Sequence, residues 1–307
     1  MRKELTNMHG REALSRFAPE AAAALDQLEN AIWDAAQKAG QLPLAAEAVR
    51  RIAAGHNLAP VPYAPAEEFA EDAATATGLR FAEQMSFDVT RIHDEQRQEF
   101  LSTFGNGSIA LVQIFYVADI VPRVRFALDA IFGTSEEPQR DRSLGAAPAL
   151  DDAFSQWIAS VPQLEALDPV LTEMIRLRGA GYHQCRLCQS IRYLPALEAG
   201  APDPLLDDAM SGNLTAADPM QKAALALVDE ILARPGRLRP ETIEGVHRYF
   251  EPAARVELVL DIARNATNKV AVAFAADTPR VARGYEICAS DPDGTTRYGL
   301  ADPRKTP

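Results

Sequence analysis

The sequence predicts an all-α protein of two related helical units, and it allows a short β-hairpin at the C-terminus. The chain is rich in Ala, Leu, Glu and Arg, and its apolar residues recur at spacings of three and four, as in amphipathic helices. Its two halves also match one another in phase. Only YEICA and TTRYG, on either side of the turn-forming SDPDG, alternate as strands do.

The internal match has a constant offset of 146 residues over about 50 residues, and apolar, acidic, aromatic and basic positions coincide. The pairs include Leu79 with Leu225, Glu83 with Asp229, Phe104 with Phe250, Val112 with Leu258 and Arg123 with Lys269. Upstream, small slips in register bring Glu29 onto Glu173 and Gly55 onto Gly200. We therefore predict a duplicated helical unit.

This prediction divides the chain into four parts. Residues 1–133 form a degenerate helical repeat without cysteine, in which Leu44 takes the place of Cys188. Residues 134–159 include TSEEPQRDRSLGAAPAL, whose Pro, Gly, Ser and charged residues are typical of a linker. Residues 160–277 form the repeat with the cysteines, and residues 278–307 form a tail. The first repeat is expected to serve packing and the second to carry chemistry.

Composition excludes several classes of function. No early stretch has the basic start, apolar run and cleavage site of a signal peptide, and no uninterrupted apolar run approaches the roughly 20 residues of a membrane span. The 43 acidic residues outnumber the 31 Lys and Arg, giving a net charge of −12 that repels phosphate backbones and anionic lipid. We expect a cytoplasmic protein that binds neither nucleic acid nor membrane.

The most informative motif is Cys185-Arg186-Leu187-Cys188, which holds two of only three cysteines. The preceding GAGYHQ ends a helical run, so both cysteines are expected in the first turn of the next helix. Unpaired backbone N–H groups and the positive end of the helix dipole would favour the thiolate there. Three cysteines are too few for a secreted disulfide framework, so the pair suggests catalysis, redox sensing or metal binding.

Glu173 lies twelve residues before Cys185, in the helix that leads into the motif. If the chain reverses at the glycines, the start of the next helix returns past this carboxylate. Glu173 could then accept the proton of a thiol and pass it to a leaving oxygen. The alternative is that Glu173 is a solvated residue on the surface of a helix.

Glu173, the glycines before the motif, the cysteine pair and the following helix that ends at Ala199 and Gly200 resemble the alkylhydroperoxidase D-like, or carboxymuconolactone decarboxylase, superfamily. The later segment DEILARPGRLRPETIEGVHRYFEPAARVELVLDIARNATNKVAVAF also resembles the second half of that family. The resemblance covers about 115 residues of the second repeat, and the first repeat only as a degenerate copy.

The resemblance implies an all-α fold and thiol peroxidase chemistry. Cys188 would attack the peroxide and become a sulfenic acid, Cys185 would resolve it to a disulfide, and an external dithiol would reduce that disulfide. Glu173 would belong to the proton relay. The family also suggests a homo-oligomer, most simply a trimer of this doubled chain, with a dimer as the alternative.

The sequence departs from the family at the relay histidines, whose places are taken by Leu187 and Arg192. Arg192, expected one turn beyond Cys188, could lower the thiol pKa electrostatically but could not shuttle protons. His183, two residues before Cys185, could supply a titrating group, or it could be an ordinary exposed or capping residue. A redox sensor or scaffold without turnover, and a decarboxylase-like lyase, therefore stay open as alternatives.

Neither a cofactor nor a metal is expected. The chain has no second C-x-x-C and no H-x-x-x-H to complete a zinc site, with His183 the only nearby third ligand. No glycine-rich phosphate-binding motif follows a strand, so a nucleotide cofactor has no support. Cys288, in the predicted hairpin, is expected to act as a small hydrophobic residue, with a regulatory thiol as the alternative.

Overall fold

A computed structural model describes residues 8–62, 72–134, 147–291 and 294–305, and most of these residues are helical. The all-α class predicted from the sequence is confirmed. In the N-terminal half the helices are α1 (Gly10–Phe17), α2 (Pro19–Lys38), α3 (Leu42–Gly55), α4 (Ala73–Asp88), α5 (Asp94–Phe104) and α6 (Ser108–Phe132). They are followed by α7 (Leu150–Ser160), α8 (Pro169–Tyr182), α9 (Arg186–Gln189), α10 (Leu194–Glu198), α11 (Asp203–Ser211), α12 (Pro219–Ala233), α13 (Pro240–Tyr249), α14 (Pro252–Asn265) and α15 (Asn268–Ala273).

The C-terminal hairpin predicted from the sequence is also confirmed. Strand β2 (Glu286–Ser290) pairs antiparallel with β3 (Thr296–Tyr298), and β1 (Ile191–Tyr193) adds to the other edge of β2 in parallel. Parallel pairing brings Tyr193 beside Cys288. The small sheet therefore carries the tail back to the segment that follows the cysteine motif.

Proline and aspartate mark the starts of the helices. Pro19, Pro169, Pro219, Pro240 and Pro252 each stand at the first position of a helix, where the missing N–H costs nothing and the fixed φ suits the helix. Asp72, Asp168 and Asp218 cap the starts of α4, α8 and α12 by accepting backbone N–H groups.

Helix α6 is the central element of the fold, since it packs against α1, α2, α3 and α14 and is buried on most of its circumference. By length and hydropathy the segment Asp94–Phe132 meets the criteria for a membrane span, with 67% of its apolar window buried inside the fold. Burial of this kind is also typical of the core helix of a globular protein. Asp119 and Arg123 interrupt the apolar run, and both are buried in an ion pair.

A buried cluster of polar side chains, here called the Asp119 cluster, joins the two halves of the chain. Asp119 Oδ1 accepts hydrogen bonds from Arg123 Nε at 2.8 Å and Ser86 Oγ at 2.7 Å, while Asp119 Oδ2 accepts one from Lys269 Nζ at 2.6 Å. His56 completes the cluster. Burial raises the pKa of Asp119, but the charges of Arg123 and Lys269 outweigh it and hold that pKa below its usual value.

The predicted linker, residues 134–159, is only partly a linker. Residues 135–146 lie outside the described part of the chain, but Leu150–Ser160 forms α7, which packs against α2. Leu150, Ala153 and Trp157 recur at helical spacing and are buried on one face. Burial of that apolar face explains why this segment folds as a helix despite its linker-like neighbours.

The helix bounds agree with the predicted duplication, which stays a prediction. Helices α4 and α12 begin at Ala73 and Pro219, and α5 and α13 begin at Asp94 and Pro240, each pair 146 residues apart. Arg123 and Lys269, aligned by the same offset, bind the same Asp119 carboxylate. The matched positions therefore meet near the centre of the fold.

Candidate functional site

The two cysteines stand at the start of one short helical turn, as the sequence predicted. Helix α8 ends at Tyr182, and the chain turns through Gln184, whose φ of +51° is uncommon for a residue with a side chain. Cys185 is the N-cap of α9, and its Sγ accepts a hydrogen bond from Cys188 N at 3.3 Å. The two sulfurs are joined as a disulfide, with Cα atoms 5.3 Å apart.

The backbone amides at the start of α9 are not unpaired, which corrects the expectation from the sequence. Arg186 N donates to Asp277 Oδ2 at 2.8 Å, and Leu187 N donates to Asp277 O at 2.8 Å. The Asp277 carboxylate also pairs with the Arg186 guanidinium. With only one turn and a carboxylate at its N-terminus, α9 contributes little of the positive field expected of a longer helix.

A cavity of about 650 Å³ lies against the motif. Cys188 lines it, whereas Cys185 is fully buried behind Cys188. One end of the cavity has apolar walls, formed by Ile158, Val161, Leu164 and Leu167. The remaining wall carries charged and polar side chains from α8, α14 and the sheet. Of the two cysteines, Cys188 is therefore the one that a small molecule in the cavity would meet.

Glu173 is fully buried on α8 and lines the same cavity, so the alternative of a solvated surface residue is wrong. Its carboxylate accepts hydrogen bonds from Arg176 Nε at 2.6 Å and Nη2 at 2.8 Å, and from Tyr193 N at 3.1 Å. Arg176 in turn donates to the carbonyl oxygens of Cys188 at 2.8 Å and Ile191 at 2.7 Å. Glu173 thus holds Arg176, and Arg176 holds the backbone of the motif.

Arg192 is not one turn beyond Cys188 on a helix, because α9 ends at Gln189 and Arg192 lies on β1. Its guanidinium pairs with Asp207 at 2.6 Å and stacks over the ring of Tyr285 at 4.8 Å. Arg192 does not belong to the wall of the cavity. The strand turns its side chain toward α11 and the tail, so the predicted electrostatic effect on Cys188 finds no support in this geometry.

His183 is buried at the end of α8, and its Nδ1 lies 2.7 Å from Asn268 Oδ1. Burial, together with the neighbouring charge of Lys269, lowers the pKa of His183 to about 3. The ring is therefore neutral at physiological pH, and Nδ1–H donates to Asn268. Asn268 lines the cavity, whereas His183 lies behind it, so the predicted titrating group does not face Cys188.

Cys288 lines the cavity together with Cys188, whereas the sequence suggested a small hydrophobic residue or a regulatory thiol in the tail, away from the motif. Cys288 is buried in β2 between Tyr193 and Tyr298, which explains its hydrophobic environment. Burial raises the pKa of its thiol to about 11. The parallel pairing of β1 with β2 places it there, and the three residues of β1 carry too weak a pattern to predict that pairing.

Two further side chains of the cavity were not predicted, Asp261 and Arg264 of α14. Within the described ranges, Asp261 Oδ2 and Arg264 Nε are buried without a hydrogen-bond partner. Burial, with a smaller effect of the neighbouring Glu257, raises the pKa of Asp261 to about 8 against the opposing charge of Arg264. The signal in the sequence is VELVLDIARN, where Glu257, Asp261 and Arg264 recur on one face of an otherwise apolar helix.

Within residues 8–62, 72–134, 147–291 and 294–305, no group of three or more His, Cys, Asp and Glu is arranged to hold a metal ion.

Comparison with known proteins finds two relatives in Mycobacterium tuberculosis, named "Uncharacterized protein MT2376" (strain CDC 1551 / Oshkosh) and "Uncharacterized protein Rv2313c" (strain ATCC 25618 / H37Rv). Each is 37% identical over 240 residues, which cover 75% of this chain and 82% of the relative. No family model matches the chain. No solved structure matches it either.

Proposed function

Because the chain belongs to the family of these two mycobacterial proteins, whose names state no activity, we propose its function from the site alone. It is a thiol-dependent peroxidase that reduces a hydroperoxide through Cys188 and Cys185. The observation that carries this proposal is the placement of Cys188 in the wall of a cavity, with Cys185 in disulfide contact behind it. The resemblance to the alkylhydroperoxidase D-like superfamily supports the same chemistry.

In the proposed reaction the Cys188 thiolate attacks the terminal oxygen of the peroxide. An S–O bond forms, the O–O bond breaks, and the electron pair leaves with the second oxygen, which takes a proton to become an alcohol or water. Cys185 then attacks the sulfenic sulfur of Cys188. The S–S bond forms, the S–O bond breaks, and the leaving hydroxide takes the proton of the Cys185 thiol as water.

An external dithiol then reduces the disulfide, and the two cysteines differ in their access to it. Cys185 is fully buried, so the dithiol meets Cys188 Sγ, and Cys185 is the leaving thiolate. The amide of Cys188 donates to Cys185 Sγ at 3.3 Å and would stabilise that thiolate as it leaves. The second thiol of the reductant then releases Cys188. We also propose that the protein is a cytoplasmic homo-oligomer, as the resemblance suggests.

Replacing Cys188 with serine is expected to abolish peroxide consumption in the presence of a dithiol reductant, because the attacking sulfur is lost. The measurement follows the loss of tert-butyl hydroperoxide at a fixed excess of dithiothreitol. Cys288→Ser is the matched control, since Cys288 lines the same cavity and is not needed for either step. Equal consumption by the Cys188→Ser variant and the parent protein would refute the peroxidase.

A redox sensor is the second candidate, and the capped start of α9 favours it. Asp277 occupies two of the amides that would otherwise lower the pKa of a thiol in the motif, and Arg192 pairs with Asp207 instead. A thiol without these aids is oxidised more slowly, and a disulfide that persists once it has formed can report an oxidising condition without rapid turnover. The rate of Cys188 oxidation separates the two, because a peroxidase must oxidise faster than free dithiothreitol does.

A further inference from the structure

The proposed reaction needs a proton for the oxygen that leaves from the peroxide, since an alkoxide is a far poorer leaving group than an alcohol. A positioned acid contributes about 10²–10⁴-fold to such a step. None of the predicted site residues other than the cysteines is available as this acid. Glu173 is bound by Arg176, Arg192 by Asp207, and His183 is neutral and donates to Asn268.

We propose that Asp261 is the general acid of this site and gives its proton to the oxygen that leaves when Cys188 attacks a hydroperoxide. This inference rests on the proposed peroxidase function. Asp261 lines the same cavity as Cys188, and only 6% of its surface is exposed. Its Oδ2 is without a hydrogen-bond partner among the described residues, so this oxygen is free to meet a ligand.

Asp261 lies in the sequence between Glu257, which is bonded beside the apolar end of the cavity, and Asn268, which is bonded beside the motif. Asn265 and Asn268 lie toward the motif, because Asn268 is bonded to His183, two residues before Cys185. Glu257 lies one turn before Asp261, near the apolar end, where its Oε2 accepts a hydrogen bond from Ala166 N at 2.5 Å. We consider a peroxide whose terminal oxygen contacts Cys188 and whose carbon part lies at the apolar end of the cavity. In that orientation the second oxygen, which leaves, would lie beside Asp261.

Every proton in the proposed step is accounted for. Thiolate, hydroperoxide and protonated Asp261 give sulfenic acid, alcohol and ionised Asp261, with the S–O bond formed and the O–O bond broken. Asp261 recovers its proton when the next Cys188 thiol ionises. Because burial raises the pKa of Asp261 to about 8, it holds this proton at neutral pH.

The charged groups around Asp261 are consistent with a neutral acid. On its own helix, Glu257 raises the pKa of Asp261 and Arg264 lowers it. The titratable groups that face the cavity from other elements are Glu173, Arg176 and Cys188 from the motif side, Glu165 from the loop before α8, and Tyr193, Cys288 and Tyr298 from the sheet. From α8, Arg176 lines the cavity but is already paired with Glu173, and Thr172 lowers the pKa of Asp261 through a hydrogen bond without outweighing burial.

Asp261→Asn keeps the size of the side chain and removes the acid. We expect the reduced variant to be oxidised by tert-butyl hydroperoxide about 10²-fold more slowly than the parent protein. With peracetic acid, whose leaving acetate needs no proton, the two rates should agree within about 3-fold. Alkylation of Cys188 by iodoacetamide should also be unchanged, since iodide needs no proton either. Asp152→Asn, an exposed residue of α7 outside the cavity, is the control, with both peroxide rates close to those of the parent protein.

Three results would overturn the inference. An unchanged rate with the alkyl hydroperoxide would show that Asp261 gives no proton. An equal loss with both oxidants or with iodoacetamide would show that the variant affects the thiolate or the fold. If the parent protein reacted with neither oxidant, the proposed peroxidase function would fail, and the role of Asp261 would fail with it. The first two results differ from this one because in them the parent protein still reacts.

Two measurements extend the test. Between about pH 5 and pH 8 the folded state holds a proton on Asp261 that the unfolded state has lost, so stability falls as pH rises. The melting temperature of the parent protein minus that of Asp261→Asn should therefore decrease from pH 5 to pH 8. A difference that stays constant would contradict a protonated Asp261 in the folded state.

If the variant does not fold, the parent protein alone is compared across hydroperoxides of decreasing leaving-group basicity. A steep increase in rate would then contradict acid assistance.

Discussion

Replacing Asp119 with alanine is expected to lower the free energy of unfolding by about 3–5 kcal/mol, because it leaves two buried cations without their anion. Arg123 is 2% exposed and Lys269 is 4% exposed, and both donate to the Asp119 carboxylate. Burial lowers the pKa of Lys269 to about 8 even with Asp119 present. Without Asp119, the two positive charges would face each other in a region that excludes water.

The measurement is equilibrium unfolding in urea at neutral pH, with Asp152→Ala as the control. Asp152 is exposed on α7, and such a change is expected to alter the free energy of unfolding by less than about 0.5 kcal/mol. Adding Lys269→Met to Asp119→Ala should recover part of the loss, because one of the two stranded charges is removed. A loss below about 1 kcal/mol for Asp119→Ala would mean that the Asp119 cluster is solvated.

Replacing Arg176 with leucine is expected to cost about 3–5 kcal/mol as well, and to disturb the motif at the same time. Glu173 is fully buried and would lose the hydrogen bonds from Arg176 Nε and Nη2. The carbonyl oxygens of Cys188 and Ile191 would each lose a hydrogen bond from Arg176, although Ile191 O keeps the one from Arg192 Nη1 at 3.0 Å. Pairing with Glu173 outweighs the effect of burial and raises the pKa of Arg176, so the pair is held together in the folded state.

Arg178→Leu is the matched control on the same helix. Arg178 pairs with Asp229, whose side chain is 38% exposed, and an ion pair of this kind contributes about 0–1 kcal/mol. Unfolding in urea compares the two variants, and the rate of Cys188 alkylation in the reduced proteins reports on the motif. If both arginine variants lost stability equally, the buried pair of Glu173 and Arg176 would have no special part in the fold.

Local chemistry made much of the fold predictable. Prolines at the first turn, aspartates at the caps and the turn residues of SDPDG are short-range signals, and the helices and the hairpin follow them. The motif at the start of a helical turn was predicted for the same reason. The length of that turn was not, because β1 draws Ile191 and its neighbours into a sheet with residues nearly 100 positions away. Pairing over such a distance leaves little trace in a three-residue segment.

The candidate site was predictable in part. Glu173 and Cys188 line one cavity, as the resemblance implied, and the spacing allowed it because the reversal between α8 and α9 is local. The partners of Arg192 and His183 were not foreseeable, because Asp207 and Asn268 belong to elements that approach only in the folded chain. The role of Asp261 could not be predicted either, because its raised pKa depends on burial in the folded chain and the sequence pattern only suggests that burial.

The most direct test of the peroxidase is to locate the sulfenic acid. In Cys185→Ser the resolving thiol is absent, so the sulfenic acid formed by a peroxide should persist on Cys188. The variant is reduced, exposed to one equivalent of tert-butyl hydroperoxide, trapped with dimedone and digested for mass spectrometry. The account predicts a dimedone adduct on Cys188, and an adduct on Cys288 alone, or none on any cysteine, would contradict it.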